Sequence, residues 1–135
     1  MSQLERFGVS AEKDLLARFD CRLKLRGYRT RSEALRDLIR QDLVDAEWEN
    51  PGAEVFGTVT IIFDHHVHGL SHDLAELQHE FLDAIVCNTH VHLDAHNCLE
   101  VVIVRGKSGD VRRIADVLIA AKGVKHGQLA CSACQ

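Results

Sequence analysis

The chain has 135 residues, 46% of them hydrophobic and 27% charged, which is typical of one globular domain or two small ones and not of a disordered protein. No apolar run approaches the roughly 20 residues that span a bilayer, and no signal-peptide pattern opens the chain, so we expect a cytoplasmic protein without a membrane partner. The formal net charge is −4, yet residues 18–40 contain eight basic residues and three acidic ones, which indicates a polyanion partner or a solvated basic helix face.

The N-terminal part of the chain predicts one strand and two helices. Alternating residues from 4 to 10 are typical of a strand that turns Phe7 and Val9 to one side. A helix with apolar spacing follows and ends near Gly27, and Thr30 with Glu33 forms the capping-box pattern that starts the next helix. Asn50-Pro51-Gly52 is the clearest break, so we predict two domains, 1–50 and 53–135.

The first predicted domain is too small to bury a core alone. Its single strand also leaves an unpaired edge, so we expect an obligate dimer. Arg6, Gly8 and Ser10 share the other face of that strand. A two-stranded ribbon fits the major groove of double-stranded DNA, where arginine bonds guanine and serine bonds several base edges; an ordinary exposed strand is the alternative.

The second predicted domain alternates strands and helices in the order β-α-β-β-α-β. This order is the ferredoxin-like split βαβ pattern, also described as ACT-like, and the fold class is therefore α+β. The predicted elements cover residues 55–63, 71–82, 85–94, 98–105, 109–122 and 124–130.

Histidine is concentrated in this second domain, where eight of the nine histidines fall between residues 65 and 96. His90 and His92 share one face of a strand, and the turn at 95–97 returns the chain so that Cys98 starts the neighbouring strand. Two imidazoles and a thiolate suit a late first-row divalent ion, and a fourth planar nitrogen favours Ni(II) or Cu(II) over Zn(II). The alternative is a set of ordinary surface residues.

His79 is the candidate fourth ligand, because it lies off the apolar stripe of its helix and could reach another subunit. Taken alone, a histidine at such a position is more often a simple surface residue. His65 belongs to a histidine-rich loop at 65–72 that could supply an alternative ligand or a metal-entry cluster. Cys131 and Cys134 form a CxxC that could bind metal, cycle its redox state or simply end a frayed tail, and burial is expected for Cys21 and Cys87.

Taken together, these residues resemble the nickel-responsive regulators, whose N-terminal half is a ribbon-helix-helix DNA-binding domain. The resemblance runs from about residue 4 to residue 130. It rests on the segments Arg6–Ser10, Leu15-Leu16, Gly27–Arg40, Gln78-His79, Thr89–His92, Cys98–Val101 and Gly123–Gly127. Gly8 departs from the family pattern, because some relatives carry a hydroxyl residue at this position. Cys131 and Cys134 lie outside the family pattern.

The resemblance implies a homotetramer, a dimer of dimers, with one Ni(II) per subunit. His90, His92 and Cys98 of one subunit and His79 of a neighbour would hold the ion in a plane. Arg6, Gly8 and Ser10 would face the bases of an operator with two half-sites. Glu33 and Asp37 would help bind a second cation when the protein is on DNA.

The expected function is nickel-dependent repression of a nickel uptake or nickel-related gene, with metal binding ordering the regulatory domain. One alternative is a repressor that senses copper, cobalt or zinc, since copper binds most such sites more tightly. Another is a metal-storage or delivery protein. No nucleophile with a base and an orienting group is recognisable, so we do not expect an enzyme.

Overall fold

The computed structural model describes residues 3–134, so the outermost residues of the two predicted domains (1, 2 and 135) lie outside the described residues. The chain divides between Arg40 and Gln41 into two compact units, which we call the N-terminal and C-terminal units. No helix within residues 3–134 is long and apolar enough to cross a bilayer.

The N-terminal unit contains helix α1 (Lys13–Leu25) and the first half of helix α2 (Arg31–Glu49). Residues 3–12 form neither helix nor strand, although the sequence predicts a strand over 4–10. A strand needs a hydrogen-bonded neighbour, and the described part of a single chain offers none there. The predicted strand is therefore not formed within one chain, and it would need a second chain as its partner.

Local signals fix the ends of these helices as predicted. Gly27 adopts a positive φ of 77° directly after α1, a left-handed conformation that favours glycine at a helix end. The Thr30 hydroxyl accepts a hydrogen bond from the Glu33 amide at 3.2 Å, as in a capping box. The Glu33 carboxylate, however, accepts from the Arg29 amide at 3.1 Å and not from Thr30 itself.

Very little apolar surface is buried inside the N-terminal unit. Among its described residues only Leu23 and Ala34 are buried hydrophobic residues, whereas Phe7 is 67% and Val9 64% exposed. Neighbouring apolar side chains, Leu4, Leu15, Leu25, Leu38 and Ile39, are exposed as well. A soluble protein rarely leaves so large an apolar surface uncovered, so this unit is built to pair with a second copy.

The C-terminal unit is a four-stranded antiparallel sheet with two further helices. After α2 the elements are β1 (Glu54–Asp64), α3 (Leu70–His79), β2 (Ile85–His92), β3 (Asn97–Lys107), α4 (Ser108–Ile119) and β4 (Val124–Ser132). The strand order is β2-β3-β1-β4, which is the order of a ferredoxin-like fold and confirms the predicted class.

One face of the sheet is covered and the other is open. Alternate residues of β1, from Val55 to Phe63, pack with apolar residues of α3 and α4 in a single core. The core also takes in Trp48, which is 2% exposed, near the end of α2. On the opposite face Phe56 and Ile103 remain 39% and 37% exposed.

Glycine at position 127 is required by this packing, because a Cβ there would lie 2.6 Å from Ile119 Cγ1 and 3.0 Å from its Cγ2. We expect Gly127→Ala to lower the free energy of unfolding by about 1–3 kcal/mol, the usual effect of overpacking a core. Chemical denaturation of the full chain measures it. The double variant Ile119→Ala/Gly127→Ala should lose less unfolding free energy than the two single variants lose together, because the added methyl occupies the space that Ile119 vacates. If the two single losses simply added, the clash would be contradicted.

Candidate metal centre and nucleic-acid interface

The β2–β3 hairpin brings the predicted ligands to one place. In its register His92 pairs with Cys98 and His90 pairs with Glu100, so these four side chains share one face. The hairpin turn is held by Asp94, whose carboxylate accepts hydrogen bonds from the Asn97 side chain and from the amides of Asn97 and His96, each at 2.8 Å. These bonds lower the pKa of Asp94 to about 2.

Cys98 is the centre of the site. Its side chain is fully buried, and its Sγ lies 3.3 Å from His92 Nδ1 and 3.3 Å from His65 Nδ1. A thiolate at about 2.3 Å and an imidazole at about 2.0 Å from one ion, at right angles, would be about 3.1 Å apart. The ligand atoms of His65, His92 and Cys98 all lie within 4.8 Å of one another, so their spacing fits a shared metal ion.

The other predicted ligands do not join this group within one chain. The His90 ring centroid lies 5.3 Å from that of His92 and 5.7 Å from that of Phe63. His79 is the last residue of α3 and is exposed. Within the described residues, neither of the two groups with metal-ligand spacing includes His79 or His90.

The second of those groups is formed by Asp64, His65 and His66 at the end of β1. The Asp64 carboxylate accepts a hydrogen bond from the His66 amide at 2.9 Å, and the His65 and His66 rings lie 4.1 Å apart. The histidine-rich loop is thus in contact with Cys98 through His65, which the sequence offered only as an alternative ligand.

A buried polar network beside the thiol was not predicted. Glu100 is 5% and Gln78 7% exposed; Gln78 Nε2 donates to Glu100 Oε1 at 2.9 Å. Asn88 Nδ2 donates to Gln78 Oε1 at 2.8 Å and to Glu100 Oε1 at 2.9 Å. These bonds fasten the last turn of α3, next to His79, to β2 and β3. The signal was present in the sequence, because Glu100 occupies a core-facing position in an apolar strand and therefore needs a partner.

The electrostatics of the site favour a cation. Burial raises the pKa of the Cys98 thiol, and the negative charges of Asp64, Asp94 and Glu100 raise it further. A divalent ion would offset these charges and stabilise the thiolate, which is the ligand form. Soft sulfur with imidazole nitrogen is a donor set that fits Ni(II).

If Cys98 binds the metal ion as a thiolate, its raised pKa makes metal binding depend on pH. Below that pKa the thiol is protonated, so binding must release its proton. With Cys98 as a ligand, we expect nickel affinity to rise about tenfold per pH unit from pH 7.5 to 8.5, a range that lies below the raised pKa of the thiol. Competition with a chelator of known pH dependence measures the slope. A flat profile would mean that no thiol proton is released and that Cys98 is not a ligand.

The remaining cysteines differ in how far they are exposed to solvent. Cys131 is partly buried and Cys134 exposed. The expected burial of Cys21 and Cys87 is wrong, because both are exposed in the single chain. Cys21 lies on a helix of the poorly buried N-terminal unit and Cys87 on the edge strand β2.

In the N-terminal unit, Arg6, Gly8 and Ser10 are all exposed. Glu33 and Asp37 line one open pocket of about 360 Å³ together with Tyr28, Arg36 and Arg40. Asp37 accepts hydrogen bonds from the Tyr28 hydroxyl at 2.8 Å and from Arg40 at 3.0 Å. A bidentate pair at 2.8 Å joins Arg31 to Asp20 and links the two helices, so this arginine is partly neutralised.

A helical pair that needs a partner chain, with a thiol–imidazole site on a ferredoxin-like unit, defines a metal-responsive DNA-binding protein. Each half of the chain matches a known protein family. Residues 56–132 match the family described as "NikR C terminal nickel binding domain", and residues 5–46 match "Ribbon-helix-helix protein, copG family". The chain belongs to the nickel-responsive regulator family.

Individual relatives agree along nearly the whole chain. Proteins named "Putative nickel-responsive regulator" are 56% identical over 129 residues in Solibacter usitatus (96% of this chain, 93% of the relative) and 53% over 133 residues in Pelobacter propionicus (98% and 96%). One from Thermococcus onnurineus is 50% identical over 127 residues (94% and 92%). A solved structure of an uncharacterized protein from Thermotoga maritima matches with a TM-score of 0.51 at 14% identity, covering 58% of this chain and 96% of that one, which is a likeness of fold.

The family membership confirms a nickel-dependent transcriptional regulator that binds DNA through a dimeric ribbon-helix-helix domain and is not an enzyme. It also confirms nickel as the ligand of the C-terminal half.

Proposed function

We propose that this protein is a nickel-dependent repressor of a nickel uptake or nickel-related gene in the cytoplasm. Each subunit would hold one Ni(II) through His90, His92 and Cys98, with His79 supplied by a neighbouring subunit. The observation that carries this proposal is the buried Cys98 thiol with His92 at 3.3 Å, in a chain whose other half is a ribbon-helix-helix domain.

A ligand from another subunit has access to this position. β2 is an edge strand and nearly all its residues are exposed, His90 and His92 among them. His79 is exposed at the end of a helix that the Gln78–Glu100 bond fastens beside the site, so the same helix of a second copy could present its His79 there. The exposed apolar face around Phe56 and Ile103 favours a tetramer, in which regulatory units meet and DNA-binding dimers lie outside.

His65 has a separate role in this proposal. In the single chain it occupies the position beside Cys98 that a neighbour's histidine would take after assembly. We therefore assign His65 as an alternative ligand that assists metal entry, and His79 as a ligand of the final site.

Arg6, Gly8 and Ser10 would enter the major groove once two chains pair their strands. Phe7 and Val9, which alternate with them and are exposed in one chain, would then form the buried face of the ribbon. Two such ribbons in a tetramer would read two half-sites of an operator. Gly8 would act by close backbone approach, since it has no side chain.

Glu33 and Asp37 would bind a second cation when the protein is on DNA. They line one pocket, but Asp37 is bonded to Tyr28 and Arg40 in the free chain. Cation binding would therefore require these bonds to be exchanged.

The test is a DNA-shift titration of the full chain against the region upstream of its own gene, without metal and with one equivalent of Ni(II), Cu(II), Co(II) or Zn(II). Binding that tightens selectively with nickel supports the proposal. Equal binding without metal would contradict the switch, and nickel binding without any DNA binding would favour storage or delivery.

The ligand assignment makes a prediction that separates His65 from His79. We expect His79→Gln to abolish the thiolate-to-nickel charge-transfer absorption of the assembled protein, because it removes one of four ligands. The matched variant His65→Gln should keep that absorption and slow only the rate at which it appears. Stopped-flow absorption measures both, and the reverse pattern would assign the final site to His65.

A further inference from the structure

The two cysteines at the end of β4 belong to neither group with metal-ligand spacing among the described residues, and their exposure differs sharply. Cys131 lies on β4 opposite Gly57, where it is partly buried against the core. Cys134 is exposed two residues beyond the end of the strand. One thiol is thus accessible to a small oxidant while the other is sheltered only three residues away.

One of the two residues between them anchors a helix. Ser132 forms the last pair of the β1–β4 ladder, with Phe56, and its carbonyl accepts a hydrogen bond from Trp48 Nε1 at 3.0 Å. Trp48 is the single tryptophan of the chain and lies in the last turn of α2, with the guanidinium of Arg112 over its ring at 5.2 Å. Ser132 therefore connects the cysteine pair to the end of α2.

A disulfide between Cys131 and Cys134 would compete with that anchor, because Ser132 is held in the ladder and accepts the Trp48 hydrogen bond. Residues three apart in an extended chain are separated by about 10 Å between Cα atoms, whereas a disulfide needs about 4.4–6.8 Å. Because Cys131 is held in the ladder, the approach requires a turn at residues 132–133. Such a turn rotates the Ser132 carbonyl away from Trp48 and opens the last pair with Phe56.

We propose that Cys131 and Cys134 form a redox-sensitive latch, in which a disulfide releases Trp48 and thereby loosens the end of α2. The oxidant is a low-molecular-weight disulfide such as oxidised glutathione. The exposed Cys134 thiolate attacks one of its sulfurs and expels one glutathione thiolate; Cys131 then attacks the Cys134 sulfur and expels the second. Two protein thiols are oxidised to one disulfide, and glutathione disulfide is reduced to two thiols.

The latch favours the reduced state at rest. Burial raises the pKa of the Cys131 thiol, a shift that Arg112 opposes, so Cys131 is a poor first nucleophile and suits the second step. Disulfides that must disturb native structure are the more easily reduced ones, which is the behaviour of a reversible switch and not of a structural bond. Since α2 runs unbroken from Arg31 to Glu49, the latch acts on the helix that leads to the DNA-binding domain.

The experiment treats the nickel-loaded full chain with oxidised glutathione. Trypsin cleaves after Lys125 and leaves residues 126–135 as one peptide with both cysteines and no other, so a loss of two hydrogens from that peptide identifies the bond. The single indole N–H resonance of Trp48 reports the anchor by NMR. We expect it to shift and its solvent exchange to accelerate with oxidation, and to recover after reduction.

Two controls make the result decisive. Cys134→Ser should lose both the mass change and the indole shift, and Cys87→Ser, which removes another exposed thiol, should lose neither. A disulfide that leaves the Trp48 resonance unchanged would overturn the latch. So would the absence of an intramolecular bond in the 126–135 peptide while glutathione adducts form elsewhere.

Discussion

Replacing Cys98 by alanine should abolish nickel-dependent DNA binding. The thiol is the proposed soft ligand of the site. Its Sγ lies 3.3 Å from His92 Nδ1, and neither group with metal-ligand spacing among the described residues contains another cysteine that could replace it. Loss of an outer-shell partner alone weakens metal binding about 10- to 100-fold, so loss of this ligand should exceed about 100-fold. Calorimetric nickel titration and the DNA-shift assay measure the two effects.

The fold should tolerate this change, because the substitution removes one atom from a buried position and lowers the free energy of unfolding by about 1 kcal/mol. Cys131→Ala is the matched control: it removes a partly buried thiol from the same sheet, packed against the same core, and should leave nickel affinity unchanged. Nickel-tightened DNA binding by Cys98→Ala would rule out the assigned centre.

The architecture of the C-terminal unit was predictable because its signals are local. Each strand of the unit alternates or is apolar, and the order of elements leaves one common topology, which the strand order β2-β3-β1-β4 confirms. The sequence predicted a turn at 95–97 that places His90, His92 and Cys98 on neighbouring strands, and the structure pairs His92 with Cys98. Here spacing along the chain determines spacing in the molecule.

What the sequence could not predict depends on distant segments or on other chains. The approach of His65 to Cys98 joins residues 33 apart, and no periodicity encodes it. The predicted strand over 4–10 is not formed in one chain, because a strand needs a hydrogen-bonded partner, which the residue pattern of a single chain does not specify. Whether His79 completes the centre depends likewise on a subunit interface, so its position off the apolar stripe of its helix could suggest it as a ligand but could not locate it in the site.

The second large effect is expected at Arg6, in the DNA-binding unit. Hydrogen bonds from arginine to guanine in the major groove are worth about 1–3 kcal/mol per base, so Arg6→Ala should weaken operator binding by about 5- to 150-fold for each guanine that Arg6 recognises. Binding to DNA of random sequence should weaken much less, because the substitution removes hydrogen bonds to a base and leaves those to the phosphates in place. Titration of nickel-loaded protein on both DNAs gives the ratio.

Arg18→Ala provides the comparison, since Arg18 is an exposed arginine on α1, in the basic segment 18–40 and outside the predicted strand. It carries the same charge but is not predicted to reach a base, so its removal should weaken operator and random DNA to a similar degree and reduce the salt dependence of both. If Arg6→Ala instead lowered the affinities for operator DNA and for random DNA equally, that result would mean that Arg6 binds a phosphate. Sequence readout would then have to lie with Ser10 or with the shape of the operator.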